Sequence, residues 1–419
     1  MSNVDTETPV PSVATDLQDE RLAQREGLRG ALSGVTDRVR GGDLGNLPVV
    51  AGLIVIAIVF NSLNPIFLSS ANLSNLLLES VPVGIIALGI VCVLLVAEID
   101  LSVGSVSGLS SALLAVLWVD NGVPVVAAVL IAIGVGAVIG LLYSQLFNRV
   151  GVPSFVITLA GLLAFVGVQL WLLGTKGAVN LPFDSELVKF TQLQFVPAWL
   201  SYLLVLAGAG GLFATGLARA RQRQNAGLSS QSLAVLGATS AALLVGLGLF
   251  VWYLNQTRGV GWMFVFFVAL VLVMHYVLTR TKFGRSLFAV GGNPEAARRS
   301  GINVKRVYMS VFILCSSLAA LGGVLAAAHL AAANQSSGGA DVNLNAIAAA
   351  VIGGTSLFGG RGSAFAALLG ILVIQSISNG LTLLSLDSSY RFMITGGVLL
   401  LAVSLDSVAR RSRVSSGRA

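Results

Sequence analysis

Long apolar runs dominate this sequence and constrain its fold more than any other feature. Crossing a hydrocarbon core of roughly 30 Å takes about 20 mostly apolar residues in a helix, and many stretches here reach that length. Composition agrees, because only 10% of the 419 residues are charged, whereas soluble domains carry about a quarter. We therefore predict an all-α, polytopic transmembrane helical bundle.

The apolar runs also argue against a transmembrane barrel and limit the number of membrane crossings. They are continuous and rich in small and aliphatic residues, unlike the alternating segments of about ten residues that build a transmembrane barrel. The pairs 76–97 with 101–119 and 344–358 with 364–384 could each be one hairpin that does not fully cross, so ten crossings fit as well as twelve. The predicted segments are 47–63, 76–97, 101–119, 123–147, 154–174, 198–217, 233–254, 260–279, 307–331, 344–358, 364–384 and 391–408.

The positions of Lys and Arg indicate the orientation, because cytoplasmic loops retain them. If the N-terminal arm lies in the cytoplasm and every segment crosses the membrane, so that successive loops alternate between its two sides, 21 of the 25 Lys and Arg residues fall on the cytoplasmic side. The exceptions are Lys176, Lys189, Arg258 and Arg391. We expect a multi-pass membrane protein with both termini in the cytoplasm. This topology also accounts for the net charge of +7 without any nucleic-acid partner.

The chain divides into a membrane domain and two polar ends. Residues 1–46 are predicted to be a disordered cytoplasmic arm, 47–408 the transmembrane domain and 409–419 a cytoplasmic tail. Within the membrane domain, 280–306 form a long inner loop, and 198–254 form an extra apolar pair with a basic inner connection.

Enzymatic and metal-binding functions are not expected from this sequence. The glycines at 291–292 are not followed by the Gly-Lys-Ser or Gly-Lys-Thr of a phosphate-binding loop, and no soluble segment is large enough for an ATPase domain. His275 and His329 have no second ligand residue at metal-binding spacing. An energy-coupling module must be another chain.

The most informative polar stretch is the inner loop 279–306. Asn293 and Pro294 indicate a helix start, since the missing N–H of proline does no harm in the first turn. The residues EAARRSG that follow favour a short helix that Gly301 ends. This short cytoplasmic helix is either a coupling helix for a partner or an anchor for lipid headgroups, and the pattern alone does not decide between them.

Two further stretches interrupt the apolar pattern. Glu98 and Asp100 stand between two apolar runs with barely a loop, and an ionisable group at bilayer depth usually faces a cavity or a partner. We favour Asp100 as a cap of a helix starting at Leu101, through the N–H groups near Ser102 and Val103. The stretch 345–363 has closely spaced glycines and faintly repeats the first break, as in transporters with paired broken helices. For any single glycine, close helix packing is the better interpretation, but the run as a whole indicates more than packing.

Four stretches resemble hallmarks of the permease subunits of bacterial ABC importers for monosaccharides, the group serving ribose, galactose, arabinose and xylose. They are EIDLSVGS at 98–105, VPSFVITLAG at 152–161, TKFGRSLFAVGGNPEAARRSGINV at 281–304 and AIAAAVIGGTSLFGGRGS at 346–363. The resemblance runs from about Leu47 to Asp406. The extra pair at 198–254 is similar to the longer xylose-type permeases, so D-xylose is the first substrate expected.

The resemblance implies an ABC importer permease fold, a second permease copy, a cytoplasmic ABC ATPase and an extracytoplasmic sugar-binding protein. ATP and Mg would bind the ATPase, and no cofactor would bind this chain. The residues implied in coupling to the ATPase are Phe283, Gly284, Arg285, Gly292, Asn293, Pro294, Glu295, Ala296, Ala297, Arg298 and Gly301. The candidates for the translocation pathway are Glu98, Asp100, Ser102, Ser105, Asn334, Asn345, Thr355 and Asn379.

Two alternatives come from other classes of protein. One is a secondary sugar transporter driven by an ion gradient, in which Glu98 and Asp100 would hold the proton or cation. The membrane interior offers no Lys or Arg partner to complete such a relay. The other is a non-transporting scaffold, which would have no reason to lose the backbone hydrogen bonds that broken helices give up.

Overall fold

The structure is a computed structural model that describes residues 47–230, 232–387, 389–390, 392–397, 400 and 404. The predicted arm, the tail and most of the predicted segment 391–408 lie outside the described residues. The helices are α1 Leu47–Leu63, α2 Ser70–Leu95, α3 Val103–Ala115, α4 Val125–Gln145, α5 Ser154–Leu173, α6 Glu186–Gln192, α7 Ala198–Asn225, α8 Leu233–Leu254, α9 Trp262–Arg280, α10 Lys282–Gly292, α11 Pro294–Arg299, α12 Val304–Leu330, α13 Ala340–Ile352 and α14 Ala364–Leu383.

The predicted all-α membrane class is confirmed. Nine helices in the described part of the chain are long and apolar enough to cross a membrane, and α1 and α13 are shorter apolar helices. π-helical turns continue α3 to Asp120 and α4 to Val150. The described strands are β1 Ala178–Asn180 and β2 Ala332–Asn334, which pair antiparallel with Val179 opposite Ala333.

Helix ends follow local capping chemistry more closely than hydropathy. The prediction for α2 was six residues short at its start, because Ser69 caps a helix that begins at Ser70 by accepting from the Asn72 N–H. The helix α12 likewise begins at Val304, where Asn303 accepts from the Arg306 N–H. The helices α1 and α8 coincide with the predicted segments 47–63 and 233–254.

The described residues form two compact units. One is the helical hairpin α7–α8 within Pro197–Asn255, and the other comprises the remaining described residues. Within the hairpin, Asn255 donates from Nδ2 to the Ser201 hydroxyl at 3.2 Å. Gly216 leaves room for the Leu236 side chain, which a Cβ at that position would overlap. This hairpin is the extra apolar pair that the sequence predicts.

The helix α12 lies at the centre of the larger unit, where it packs against α2, α3 and α4. Glycines permit these close approaches. A Cβ at Gly140 of α4 would overlap the Phe312 carbonyl of α12, and one at Gly323 of α12 would overlap the Ser107 carbonyl of α3. Small residues that let backbones approach are typical of membrane helix interfaces. Gly140 and Gly323 therefore permit close packing of α12 on α4 and α3.

The short helices α3 and α13 begin at the same place in the fold. A Cβ at Gly104, near the start of α3, would lie 3.0 Å from the Asn343 Cβ and from the Gly338 and Gly339 carbonyl oxygens. Gln169 of α5 holds this loop by donating from Nε2 to the Ser337 carbonyl at 2.9 Å. The helix α13 has 13 residues and is too short to cross a membrane by itself.

Candidate coupling and translocation site

The inner loop folds into two helices, of which the sequence predicted one. The helix α11 begins at Pro294, where the Asn293 side chain accepts from the Ala296 N–H at 3.0 Å, and it ends before Gly301 with φ +83°. This confirms the predicted short helix. The preceding helix α10 was missed, although it buries Leu287 and Val290 on one face, a spacing that a helical pattern search detects.

The side chains of α11 are accessible on nearly every side. Among the residues implied in coupling, Phe283 is half-buried and Gly284 and Ala297 are buried, so these three do not offer a free surface. The exposed members are Arg285, Gly292, Asn293, Pro294, Glu295, Ala296, Arg298 and Gly301. On α11, Glu295 and Arg298 form an exposed ion pair at 2.7 Å, which contributes little to stability and leaves both groups accessible to a partner.

The end of α10 packs directly on both breaks in the apolar helices. Gly291 lies against the Leu95 carbonyl at the end of α2, so closely that a Cβ would overlap that oxygen. The same carbonyl accepts a hydrogen bond from the Gly360 N–H at 2.9 Å. Gly359 completes the contact, since a Cβ there would lie 2.7 Å from the Gly291 oxygen and 2.8 Å from the Ala97 Cβ. We call Leu95, Ala97, Gly291, Gly359 and Gly360 the glycine junction.

The linker 96–102, between α2 and α3, is held on the start of α5. The Ser154 hydroxyl donates to Glu98 Oε2 at 2.5 Å, and the Leu101 N–H donates to Thr158 Oγ1 at 3.1 Å. Burial raises the pKa of Glu98, and the Ser154 hydrogen bond lowers it in part. The stretches 98–105 and 152–161, separate in sequence, therefore form one contact.

Asp100 does not cap a helix that starts at Leu101, and that part of the prediction was wrong. The helix α3 begins at Val103 with Ser102 in the capping position. Asp100 Oδ1 accepts from both the backbone N–H and the hydroxyl of Ser102, at 2.8 and 2.7 Å. The carboxylate is 1% exposed, so it is buried among the helices. Asp100 thus shapes the linker one turn before the helix.

The remaining pathway candidates do not share one exposed wall. Ser102, Ser105 and Thr355 are buried inside the bundle. Asn379 is 9% exposed and exchanges two hydrogen bonds with Asn72, at 2.8 and 3.1 Å, so it joins α14 to α2, and helix–helix hydrogen bonding accounts for this residue as well as pore lining does. In the outer loop, Asn334 accepts from Ser336 and Ser337 through Oδ1. Asn345 is half-buried on α13.

One carboxylate, Glu79, was not among the site residues predicted from the sequence. Glu79 is exposed near the middle of α2, where Gln375 of α14 donates to it at 2.7 Å. The signal was a lone acidic residue inside an apolar run, the feature that made Glu98 and Asp100 conspicuous. Among the described residues there is no group of three His, Cys, Asp or Glu side chains that could hold a metal ion. His329 instead faces the Thr191 carbonyl at 3.1 Å.

Comparisons with known proteins identify the family. Residues 72–403 match the family described as branched-chain amino acid transport system / permease component. The chain is 37% identical over 368 residues to the xylose transport system permease protein of Escherichia coli K12, covering 87% of this chain and 92% of that protein. It is 34% identical to the xylose permease of Haemophilus influenzae, covering 86% and 96%, and 32% identical to the ribose import permease of E. coli K12, covering 86% and 92%.

The chain belongs to this family of transport permeases. It is a multi-pass membrane subunit of an ABC-type transport system and not an enzyme, as the sequence predicted. Nothing in these comparisons supports the ion-driven carrier. No solved structure matches the chain.

Proposed function

We propose that this chain is the membrane-spanning subunit of an ATP-driven importer that carries D-xylose across the bacterial inner membrane. The relatives named for xylose are 37% and 34% identical, and the relatives named for ribose and D-allose are 32% and 30% identical. The family description names branched-chain amino acids, so family membership alone leaves the substrate open. The graded identities support the sugar, and xylose among the sugars.

The observation that carries the mechanism is the glycine junction. The helix α11 presents an exposed surface in the same loop as α10, whose last turn contacts the ends of both broken segments through Gly291. A displacement of α11 by an ATPase is transmitted through this contact to Leu95 and Gly360 without an intervening flexible side chain. Interfaces packed this tightly switch between discrete arrangements and do not deform continuously. The loop is therefore a coupling element.

The other components follow from the relatives, which are described as permease components of transport systems. ATP and Mg bind the cytoplasmic ATPase, and this chain binds no cofactor of its own. A second permease copy completes the pathway, and a sugar-binding protein delivers xylose from outside. Both termini are cytoplasmic. Arg298 and Arg299 of α11 then lie inside, while the ion pair of Lys189 with Glu186 on α6 lies outside, in keeping with the distribution of basic residues.

Co-purification with the ATPase tests the coupling role. Glu295→Arg and Ala296→Trp alter exposed α11 positions without touching its buried side. Glu186→Arg is a matched control, since Glu186 forms the same type of exposed i,i+3 ion pair on α6. We expect the wild type and the control to retain the ATPase in mild detergent and both α11 variants to lose it. Retention by all four proteins would favour the lipid-anchor interpretation.

Uptake by cells tests the substrate. A strain lacking this chain should lose uptake of radiolabelled D-xylose at micromolar concentration and regain it from a plasmid copy. Excess unlabelled xylose should compete fully, ribose and D-allose weakly, and leucine not at all. Xylose uptake that persists in the deletion strain, or leucine uptake that disappears in it, would contradict the proposal.

A further inference from the structure

Glu79 is an exposed carboxylate on α2, a helix whose other side chains are nearly all buried or half-buried. Of the 26 residues of α2, only Ala71 and Glu79 are exposed, and Ala71 stands at the first turn. Glu79 is the tenth residue, about 14 Å along the helix from its start at 1.5 Å per residue. A charge at this depth is unfavourable against acyl chains and usually faces a cavity or a partner. The Glu79 face is therefore not a lipid-facing surface.

The contact with Gln375 fixes the position of this carboxylate. Gln375 Nε2 donates to Glu79 Oε2 at 2.7 Å, from about 12 Å before the end of α14 at 1.5 Å per residue. The buried pair Asn72 and Asn379 sets the register between α2 and α14 nearer the outer end of both helices. Glu79 and Gln375 thus meet near the middle of the bundle on a surface that the single chain leaves open.

The chemistry of the pair suits a neutral, hydroxyl-rich molecule. The carboxylate has only acceptors, and one of the two amide N–H donors of Gln375 is used in this bond, so the pair still offers Glu79 Oε1, the Gln375 carbonyl oxygen and one amide N–H. No ion pair to Glu79 is found in the described part of the chain. One turn outward, Asn75 meets Arg258 at 3.3 Å, so polar groups continue toward the outer end. Hydroxyl groups that donate hydrogen bonds are complementary to these acceptor oxygens.

We infer that Glu79 and Gln375 form a sugar-contacting site in the translocation pathway, where the carboxylate accepts hydrogen bonds from sugar hydroxyls. Bonds to a carboxylate are roughly twice as strong as neutral ones. One such group can hold a sugar briefly in mid-membrane without the affinity that would trap it. The inference rests on the proposed function, since it takes a monosaccharide as the ligand.

The test uses the complete transporter in proteoliposomes, with the chain, its ATPase and the binding protein. Glu79→Gln and Gln375→Leu are compared with Glu186→Gln, which removes an exposed carboxylate from α6. We expect D-xylose uptake to fall about tenfold in both site variants and not in the control. The ATPase should co-purify equally with all of them.

Deoxy sugars distinguish a sugar contact from a structural role. Xylose and its deoxy analogues are supplied at concentrations that saturate the binding protein. If Glu79 accepts a hydroxyl, one analogue should be transported several-fold more slowly by the wild type, while Glu79→Gln handles it and xylose nearly alike, as in a double-mutant cycle. Equal losses for every sugar, or failure of the Glu79→Gln permease to form its dimer, would overturn the inference in favour of subunit packing.

Failure of the proposed function gives a different result. In that case the wild-type transporter would not move xylose at all, before any variant is compared.

Discussion

Gly291→Ala tests the glycine junction with a change of one methyl group. The new Cβ would overlap the Leu95 carbonyl oxygen and lie 2.8 Å from the Gly360 nitrogen. Both neighbours are backbone atoms, so no side chain can rotate away. Overpacking of this kind costs about 1 to 3 kcal/mol, and weakening the hydrogen bond from the Gly360 N–H to Leu95 adds about 1 kcal/mol.

The sum of about 2 to 4 kcal/mol corresponds to a fall of roughly 30- to 700-fold in the population of the docked junction, at 1.4 kcal/mol per factor of ten. The assay is the number of xylose molecules transported per ATP hydrolysed in proteoliposomes. We expect this ratio to collapse in Gly291→Ala while ATP hydrolysis continues, because the surface of α11 is unchanged.

Gly134 of α4 provides the control. It lies outside the coupling loop, and a Cβ there meets no atom within 4 Å. Gly134→Ala should transport normally. A wild-type ratio in Gly291→Ala, or equal impairment of the two variants, would refute the claim that the junction transmits the motion of α11.

The remaining predictions concern the linker and the orientation. Burial raises the pKa of Glu98 above its ordinary value of about 4.3. The folded state therefore binds this proton more tightly than the unfolded state does, and the protein loses stability as pH rises from the ordinary pKa through the raised one. Glu98→Gln should therefore unfold at a higher temperature than the wild type at pH 8 and at nearly the same temperature near pH 4. An equal gain in unfolding temperature at both pH values would contradict the raised pKa of Glu98. Asp100→Asn should keep the two contacts with Ser102, whereas Asp100→Ala should lose about 1 to 3 kcal/mol through unpaired groups, measured by thermal unfolding in detergent. Both native cysteines are buried, so a membrane-impermeant maleimide should label Glu186→Cys but not Ser300→Cys in intact cells, and labelling of Ser300→Cys would reverse the topology.

The sequence predicted those parts of the fold that depend on neighbouring residues. Run length located the membrane helices, and the Asn293–Pro294 pair located α11, because both signals are local. Helix starts such as Ser70 were missed because a polar first turn lowers the hydropathy even where a side chain caps it. The helix α10 was missed because its apolar face is short and lies in a basic loop.

The site depends on contacts between distant residues, which a single sequence does not reveal. Leu95, Gly291 and Gly360 meet only after three separate helices pack. The hydrogen bond from the Gly360 N–H to the Leu95 carbonyl joins the two breaks, a contact that the faint repeat between them did not predict. Asn379 illustrates this limit. An asparagine fits the lining of a pore as well as it fits a buried pair, and in the structure it forms the buried pair with Asn72.

Transport in proteoliposomes tests the central claim most directly. The chain is reconstituted with its ATPase, and D-xylose uptake is started with the sugar-loaded binding protein. The account predicts uptake that requires ATP hydrolysis and continues when ionophores collapse the proton and sodium gradients. Uptake that follows an imposed ion gradient without ATP would contradict it and would return Glu98 and Asp100 to the role of ion site.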